Sequence, residues 1–458
     1  MHGWQFKQKV VRRLLNVTGP VLTWAARSGR VETVARLLQA HLVRVQTGIN
    51  PKAHVIVLFK VGCTEDVVSS VAGDARFTLD GLDRRVVKAL ARAFLPAGIG
   101  DNEYLSDKKE WTEAKARYRQ FLVAVWSRLR ARRGPHLVVS GNFGYYAERE
   151  LAGALENIGI PFVVLQKENL RPPGQARQDE VRNATRRGPF DGRMILQYNE
   201  VERQIELRSG VITPDRTRIV GMPRMDRVHQ WRVDGAERMI SGTRQVLFFL
   251  FDVKSGIPTL PRKGEKSYEL PPEIERASWK EMQEACINAM VALARTAPDV
   301  RVVMKTKGNR SSIALMAERF WGATGLPTNF RIVVGGDPLE LLMDSTVVCG
   351  FNSTALLEAI AANKPVVVPA FAEATRPDMQ QYLVDLGNAV EYARSPDALV
   401  GRLLGVARSE THITRGLELA PAQKAVLERW TGNADGHSGE RVRLALLGIA
   451  ETQERGNR

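Results

Sequence analysis

Two α/β domains, each a parallel sheet covered by helices on both faces, are the architecture that this sequence predicts, and three observations carry it. The chain has 458 residues, too many for one ordinary core and suited to two. Short apolar runs rich in β-branched residues alternate with amphipathic helical stretches, first over residues 51–235 and again over 244–432. A polar stretch with glycines, 236–243, separates the two series and reads as a linker. Apolar residues at 44% and charged residues at 25% exclude a disordered chain.

Residues 1–50 read as a basic amphipathic helical extension. Lys7, Lys9, Arg12, Arg13, Arg27, Arg30, Arg36 and Arg44 stand there against the single acid Glu32. Trp4, Val11, Leu14, Leu15, Leu22 and Trp24 recur at helical spacing over 4–46, with a break predicted near Gly19-Pro20. Such helices either pack on the protein body or lie in an anionic lipid interface, and the spacing leaves both open. Arginines interrupt every apolar stretch, so neither a transmembrane helix nor a secretory signal is predicted. The expectation is a cytoplasmic protein, peripheral on the inner face of the cell membrane if the extension meets lipid.

In the first domain, strands are predicted at 54–59, 137–139, 161–165, 194–196 and 218–220. Helices are predicted at 111–129, 146–157 and from about 200. Residues 171–193 lack periodicity, hold Arg171, Arg177, Arg182, Arg186 and Arg187, and read as a mobile basic loop. In the second domain, strands are predicted at 245–250, 302–304, 330–334, 346–349 and 365–368. Helices are predicted at 273–296, from about 311, after the Asp337 cap, and at 354–362, 396–407 and 420–430. A last helix, 440–451, falls in a C-terminal tail, 433–458. Repeated β-α units of this kind make Rossmann-like, doubly wound sheets.

The net charge of +16 points to an anionic partner: nucleic acid, a membrane surface or small anions. Aromatic residues at 7%, with no RNA-binding aromatic signature and no zinc-finger spacing, argue against specific nucleic acid. Cys63, Cys286 and Cys349 are isolated, which fits a reducing compartment and no disulfide framework. No D-x-D or His/Asp cluster is present in the cleft segments, so neither a metal nor a cofactor is predicted.

The chemistry concentrates in 349–360, CGFNSTALLEAI. A buried strand ends at Gly350 and a helix opens at Ser353 or Thr354. The first amides of a helix lack intrahelical acceptors and, with the helix dipole, suit a phosphate. Asn352, Ser353 and Thr354 add side-chain donors, and Gly350 removes a β-carbon from the approach. Glu358, four residues after Thr354, shares its face and is placed to accept two ribose hydroxyls. The same residues also read as a plain helix cap above a solvated glutamate.

The stretch GFNSTALLEAIAANKPVVVP resembles the donor-binding segment of GT-B glycosyltransferases. It is most similar to CDP-glycerol glycerophosphotransferases and to surface and capsular polysaccharide transferases, Kdo-type ones included. Val220 to Asp226 is similar to the G-x-P-R-x-D of those relatives, and 433–442 to their D-G-x-x-x-x-R segment. The resemblance covers roughly 218–445. It implies a nucleotide-activated donor as substrate in the second domain and a glycan or glycolipid acceptor on the first. Ser353 and Thr354 would then hold phosphate, and Glu358 the ribose.

Where such relatives often show His-Pro, this chain has Met304-Lys305-Thr306-Lys307. Lys305 and Lys307 stand there as candidates for leaving-phosphate charge, and Lys254 and Ser255 after the first strand of the second domain as further ones. An inverting transfer needs a base on the acceptor side. Glu148 and Glu168 are the candidates, although Glu148 also reads as a favourable charge in a first helical turn. Lys167, Arg171 and Arg177 are the candidate acceptor contacts, and Asp226 reads as paired with Arg224. Two rival activities share the pattern: transfer of a polyol phosphate, and nucleotide-sugar 2-epimerisation.

Overall fold

The computed structural model describes residues 3–60, 62–101, 104–105, 108–166, 170–234, 244–257, 272–306, 325–409 and 418–456. Two sheets organise them. The first holds seven strands: β1 Leu42–Gln46, β2 Ala53–Phe59, β3 Phe77–Asp83, β4 Leu137–Ser140, β5 Phe162–Gln166, β6 Met194–Gln197 and β7 Thr217–Ile219, in the order β1-β3-β2-β4-β5-β6-β7. All pairs are parallel except β1 on β3. The second holds six: β8 Gln245–Phe249, β9 Arg301–Thr306, β10 Phe330–Val334, β11 Val347–Gly350, β12 Val366–Pro369 and β13 Glu391–Ala393. They run β10-β9-β8-β11-β12-β13, all parallel.

The strands read as apolar runs because helices cover both faces; every residue of β2, β4, β5, β8, β11 and β12 is buried. Strand order reverses between β2 and β4 in the first sheet, and between β8 and β11 in the second. At such a switch point the loops leaving neighbouring strands diverge and open a crevice. The segment beginning at Gly350, which is in register with Phe249, leaves the second sheet at its switch point.

Four expectations change. Helix Gly3–Arg27 runs unbroken through Gly19-Pro20. It ends instead at Gly29, whose φ of 66° lets Arg30 N donate to Ala25 O at 2.9 Å and Gly29 N to Ala26 O at 3.1 Å, a Schellman closure. After helix Val31–Ala40 the extension turns into β1, an edge strand that pairs with β3. Residues 175–187, read as loop, form a helix between Gly174 (φ 71°) and Gly188 (φ 76°). Its apolar residues are only Ala176, Val181 and Ala184, so hydrophobic periodicity carries little signal there. β3 was not predicted, because FTLDGLD buries Thr78, Asp80 and Asp83 and shows no apolar run. The linker 236–243 and the helix expected from 311 lie outside the described residues.

All three cysteines are buried free thiols. Among the described residues no helix is long and apolar enough to cross a membrane. The last helix, Ser438–Gly456, returns to pack on helix Cys63–Val71 of the first half.

Candidate functional site at the second switch point

Glycine at 350 is explained by crowding. A β-carbon there would stand 3.0 Å from Leu356 Cδ2 and 3.3 Å from Phe249 Cβ. Phe351 turns into the core, its ring centroid 5.1 Å from Phe251 and 4.8 Å from Trp279. Asn352 adopts φ 44°, a left-handed conformation that asparagine tolerates better than most residues. Its Nδ2 donates to Tyr382 O at 2.8 Å and Ser255 O at 3.2 Å, and its Oδ1 accepts from Val384 N at 3.0 Å. Asn352 therefore ties together three loops at the strand ends. Ser353 caps helix Thr354–Ala361, accepting from Ala355 N at 3.3 Å, and Thr354 opens its first turn, half-buried.

Glu358 is 9% exposed, and its Oε2 is buried without a hydrogen-bond partner among the described residues. Burial pushes its carboxyl above the ordinary glutamate range. Arg224 and Arg227 of the first half pull it down, and Asp337 and Asp66 push it up further. This carboxylate faces the first half. Arg227 reaches the same way, forming a two-armed bridge to Asp337 at 2.9 and 3.1 Å.

On the other flank of the segment lies a cavity of 510 Å³. Asn352 and Leu356 line it with Pro369 and Ala370 after β12, Gln380 and Asp385 on the next loop, and Tyr392 and Arg394 at β13; Pro173 closes it from the first half. Leu356 sits two residues from Glu358, roughly 160° away around a helix turning 100° per residue, so cavity and carboxylate occupy opposite flanks of one helix mouth.

The remaining predicted residues are dispersed. Lys254 Nζ donates to Glu275 O at 2.7 Å and Ala277 O at 2.6 Å, bracing its loop, and Ser255 joins the site through its carbonyl. Lys305, 8% exposed, lies on β9 in register with Phe249, its Nζ 3.4 Å from Thr306 O. Arg171 is held by Glu202 at 2.7 Å and Glu180 at 3.2 Å, and Arg177 donates to Arg171 O at 3.2 Å. Glu148 is buried, with Arg84 on one oxygen and Ser140 on the other. Burial raises its carboxyl against the pull of Arg84. Glu168, Lys167 and Lys307 lie outside the described residues.

The two other motif patches meet each other. Asp226 does not pair with Arg224. Its Oδ2 accepts from Gly439 N at 2.7 Å, and its Oδ1 from Ser438 N at 3.1 Å and Asn433 Nδ2 at 2.6 Å, so it caps the last helix. Arg441 donates to Val220 O at 3.0 Å and Gly432 O at 2.9 Å. Arg224 pairs instead with buried Asp66 at 2.8 Å, and Asp66 also takes the Tyr198 hydroxyl. Asp66 is the partner that sequence reasoning missed, because it lies 158 residues away on a helix outside the matched region. Tyr392 and Arg394 were missed because β13 has three residues and no apolar run.

No protein-family model matches the chain, and no curated protein matches it in sequence. Solved structures do match. A UDP-N-acetylglucosamine 2-epimerase is 12% identical over 89% of this chain and 97% of its own, with a TM-score of 0.50. The putative UDP-N-acetylglucosamine 2-epimerase of Listeria monocytogenes is 11% identical over 87% and 97%, with a TM-score of 0.48. The wall teichoic acid polymerase TagF is 11% identical over 98% of both chains, with a TM-score of 0.47. At these identities the likeness is one of fold: the chain has the two-sheet GT-B architecture, as the donor-segment resemblance implies.

Proposed function

We propose that this chain is a metal-independent glycosyltransferase that moves a sugar from a nucleotide-activated donor to a surface polysaccharide or glycolipid acceptor. The observation that carries the reading is Glu358, a buried carboxylate with an unpartnered oxygen one turn below an open helix N-terminus. An unsatisfied buried acceptor is unfavourable in the free protein, and a ligand that donates to it removes the penalty. In this reading the ribose diol donates to Glu358, and the donor phosphates take the amides at Ser353 and Thr354. The transferred group enters the 510 Å³ cavity on the opposite flank. Lys305 adds positive charge near the end of β9, two strands from β11. With Glu148 held by Arg84, the base role falls to Glu168, two residues beyond β5.

The acceptor side of this reading includes an anionic bilayer. Helix Gly3–Arg27 exposes Val10, Leu14, Val17, Val21 and Trp24, a stripe at alternating spacings of four and three, while Leu15, Leu22, Ala25 and Ala26 face the core. Arg30 lies 4.4 Å over the Trp24 ring, and no acid precedes Glu32. A second copy would bring like charges together, whereas an anionic surface complements them. The protein would then work as a cytoplasmic, peripheral enzyme. Co-sedimentation with phosphatidylglycerol vesicles, lost in Leu14→Asp, is the expected result; equal recovery of both proteins rejects lipid contact.

The test of the activity is thermal shift with CMP, CDP, UDP, GDP and TDP, with and without Glu358→Ala. Selective stabilisation by one nucleotide, lost in the variant, is expected. No shift with any of them would remove the donor site. Preference for cytidine nucleotides would favour polyol-phosphate transfer, and epimer formation without acceptor would replace transfer by epimerisation.

A further inference from the structure

Three neighbouring strands of the second sheet begin with an arginine at or beside their amino ends. Arg244 immediately precedes β8, Arg301 opens β9, and Arg331 is the second residue of β10. The strands lie in the order β10-β9-β8, and Arg301 N donates to Arg244 O at 2.8 Å. Adjacent strands are about 4.8 Å apart, so the three side chains start from neighbouring positions at one end of the sheet. They line a cavity of 660 Å³ together with Asp299 and Asn329. The segment 350–358 leaves the same sheet at its opposite, carboxyl end.

Charge at this end does not cancel. Asp299 is the one acid in the lining. It holds Arg244 at 3.0 Å and, at 2.7 Å, Arg408, the last residue of helix Pro396–Arg408. Arg301 and Arg331 are exposed, and neither side chain has a partner among the described residues. Three cations against one acid leave the lining at +2, and Arg408 brings the cluster to +3.

The other group that could absorb a guanidinium is already satisfied. Helix Lys280–Thr296 ends beside the cavity, and bare carbonyls at a helix C-terminus attract cations. Asn329 takes those carbonyls instead. Its Nδ2 donates to Ala294 O and Ala297 O at 3.0 Å and to Val300 O at 2.7 Å. Its own carbonyl accepts from Val302 N at 2.9 Å, which fixes it against β9. The donors of Arg301 and Arg331 are left to solvent or to a ligand.

We propose that this cavity binds an oligophosphate, an anion with two or more linked phosphate groups, at a site separate from the donor site. A guanidinium meets phosphate through two parallel N–H···O bonds, and guanidiniums on adjacent strands can each take a different phosphate. A lone carboxylate engages one arginine and leaves the other uncovered. A concave wall of one sign also concentrates multivalent anions. The cavity shares no lining residue with the 510 Å³ cavity and does not include Glu358, so it stands whether or not the chain is a transferase.

Titration calorimetry of the full chain with inorganic tripolyphosphate tests the site. Affinity should fall about tenfold in Arg301→Ala/Arg331→Ala. It should rise about threefold in Asp299→Asn, which removes the competing acid from a half-exposed cluster. Glu358→Ala, which reports on the donor site, should bind tripolyphosphate as wild type does. Both arginines are exposed, and an unchanged melting temperature without ligand checks the fold. A parallel arm measures co-sedimentation with phosphatidylcholine vesicles carrying cardiolipin, whose headgroup has two phosphates. Loss in the double variant confined to tripolyphosphate assigns a soluble oligophosphate, and loss confined to the vesicles assigns a lipid headgroup. Equal binding of both ligands by wild type and double variant, or binding of neither, overturns the site even if nucleotide binding stands. An Asp299→Asn protein that binds neither ligand more tightly overturns it as well, because the charge excess would then not govern affinity.

Discussion

Two regions of this chain carry motif resemblance of similar quality, and they differ in how their polar groups end up. At the junction of 220–226 with 433–441, each of the interactions described is internal: Asp226 takes three donors, and Arg441 serves two carbonyls, Ser438 and Asp435. At 350–358, Asn352 and Ser353 are likewise used internally, but Glu358 keeps a buried oxygen with no partner among the described residues. A saturated network holds structure; on the proposed reading, an orphaned acceptor beside an open helix N-terminus takes its donor from a ligand.

That contrast breaks first at the junction. Asp226→Ala removes the cap of the last helix and leaves one N–H of Asn433 Nδ2 without its acceptor while the other keeps Met222 O at 3.0 Å, so it should lower stability by about 2 kcal/mol. Chemical denaturation checks this. Nucleotide affinity, measured well below the unfolding midpoint, should not move. A variant of unchanged stability with lost nucleotide binding would make Asp226 a site residue and dissolve the distinction.

Glu358→Gln sharpens it with effects of opposite sign. The folded-state pKa of Glu358 is raised, so its contribution to stability is fully present below the unfolded pKa and is lost as pH rises through the folded one. The glutamine variant should therefore match wild type in acid and become the more stable apoprotein toward neutral pH, as followed by melting temperature across pH. Nucleotide affinity should fall about tenfold or more, because one charge-assisted acceptor is gone. Parallel melting curves at every pH would mean that the carboxylate is satisfied after all.

The fold was legible wherever strands bury both faces, since β2, β4, β5, β8, β11 and β12 leave continuous apolar runs. It was not legible where burial is polar. β3 hides Asp80 against His54 at 2.8 Å and Arg44 at 2.6 Å, and the helix 175–187 offers no apolar stripe. At the site, the strand–helix boundary at 350–354 was readable from Gly, Asn, Ser and Thr. The cavity was not, because its walls come from five short segments between Pro173 and Arg394 that only the topology brings together. The partners of Arg171 and Glu148 were not legible, because a charged residue in a sequence shows its sign and never its partner, and both have theirs inside the first half.

The smallest effect tests whether Asn352 belongs with the saturated or the waiting groups. Asn352→Gly keeps the left-handed φ of 44° available while deleting the bonds to Ser255, Tyr382 and Val384. The global loss should be about 1–2 kcal/mol, since each neutral bond contributes roughly 1 kcal/mol and water reaches part of the site. Asn352→Ala should lose more, because it adds a strained backbone to the same missing bonds. If Asn352 acts by positioning its loops, both variants should weaken nucleotide-sugar binding in proportion to the stability they lose, and hydrogen exchange at 382–384 should accelerate. A glycine variant of wild-type stability that binds UDP normally but loses affinity for the whole nucleotide sugar would instead put the Asn352 amide on the transferred group.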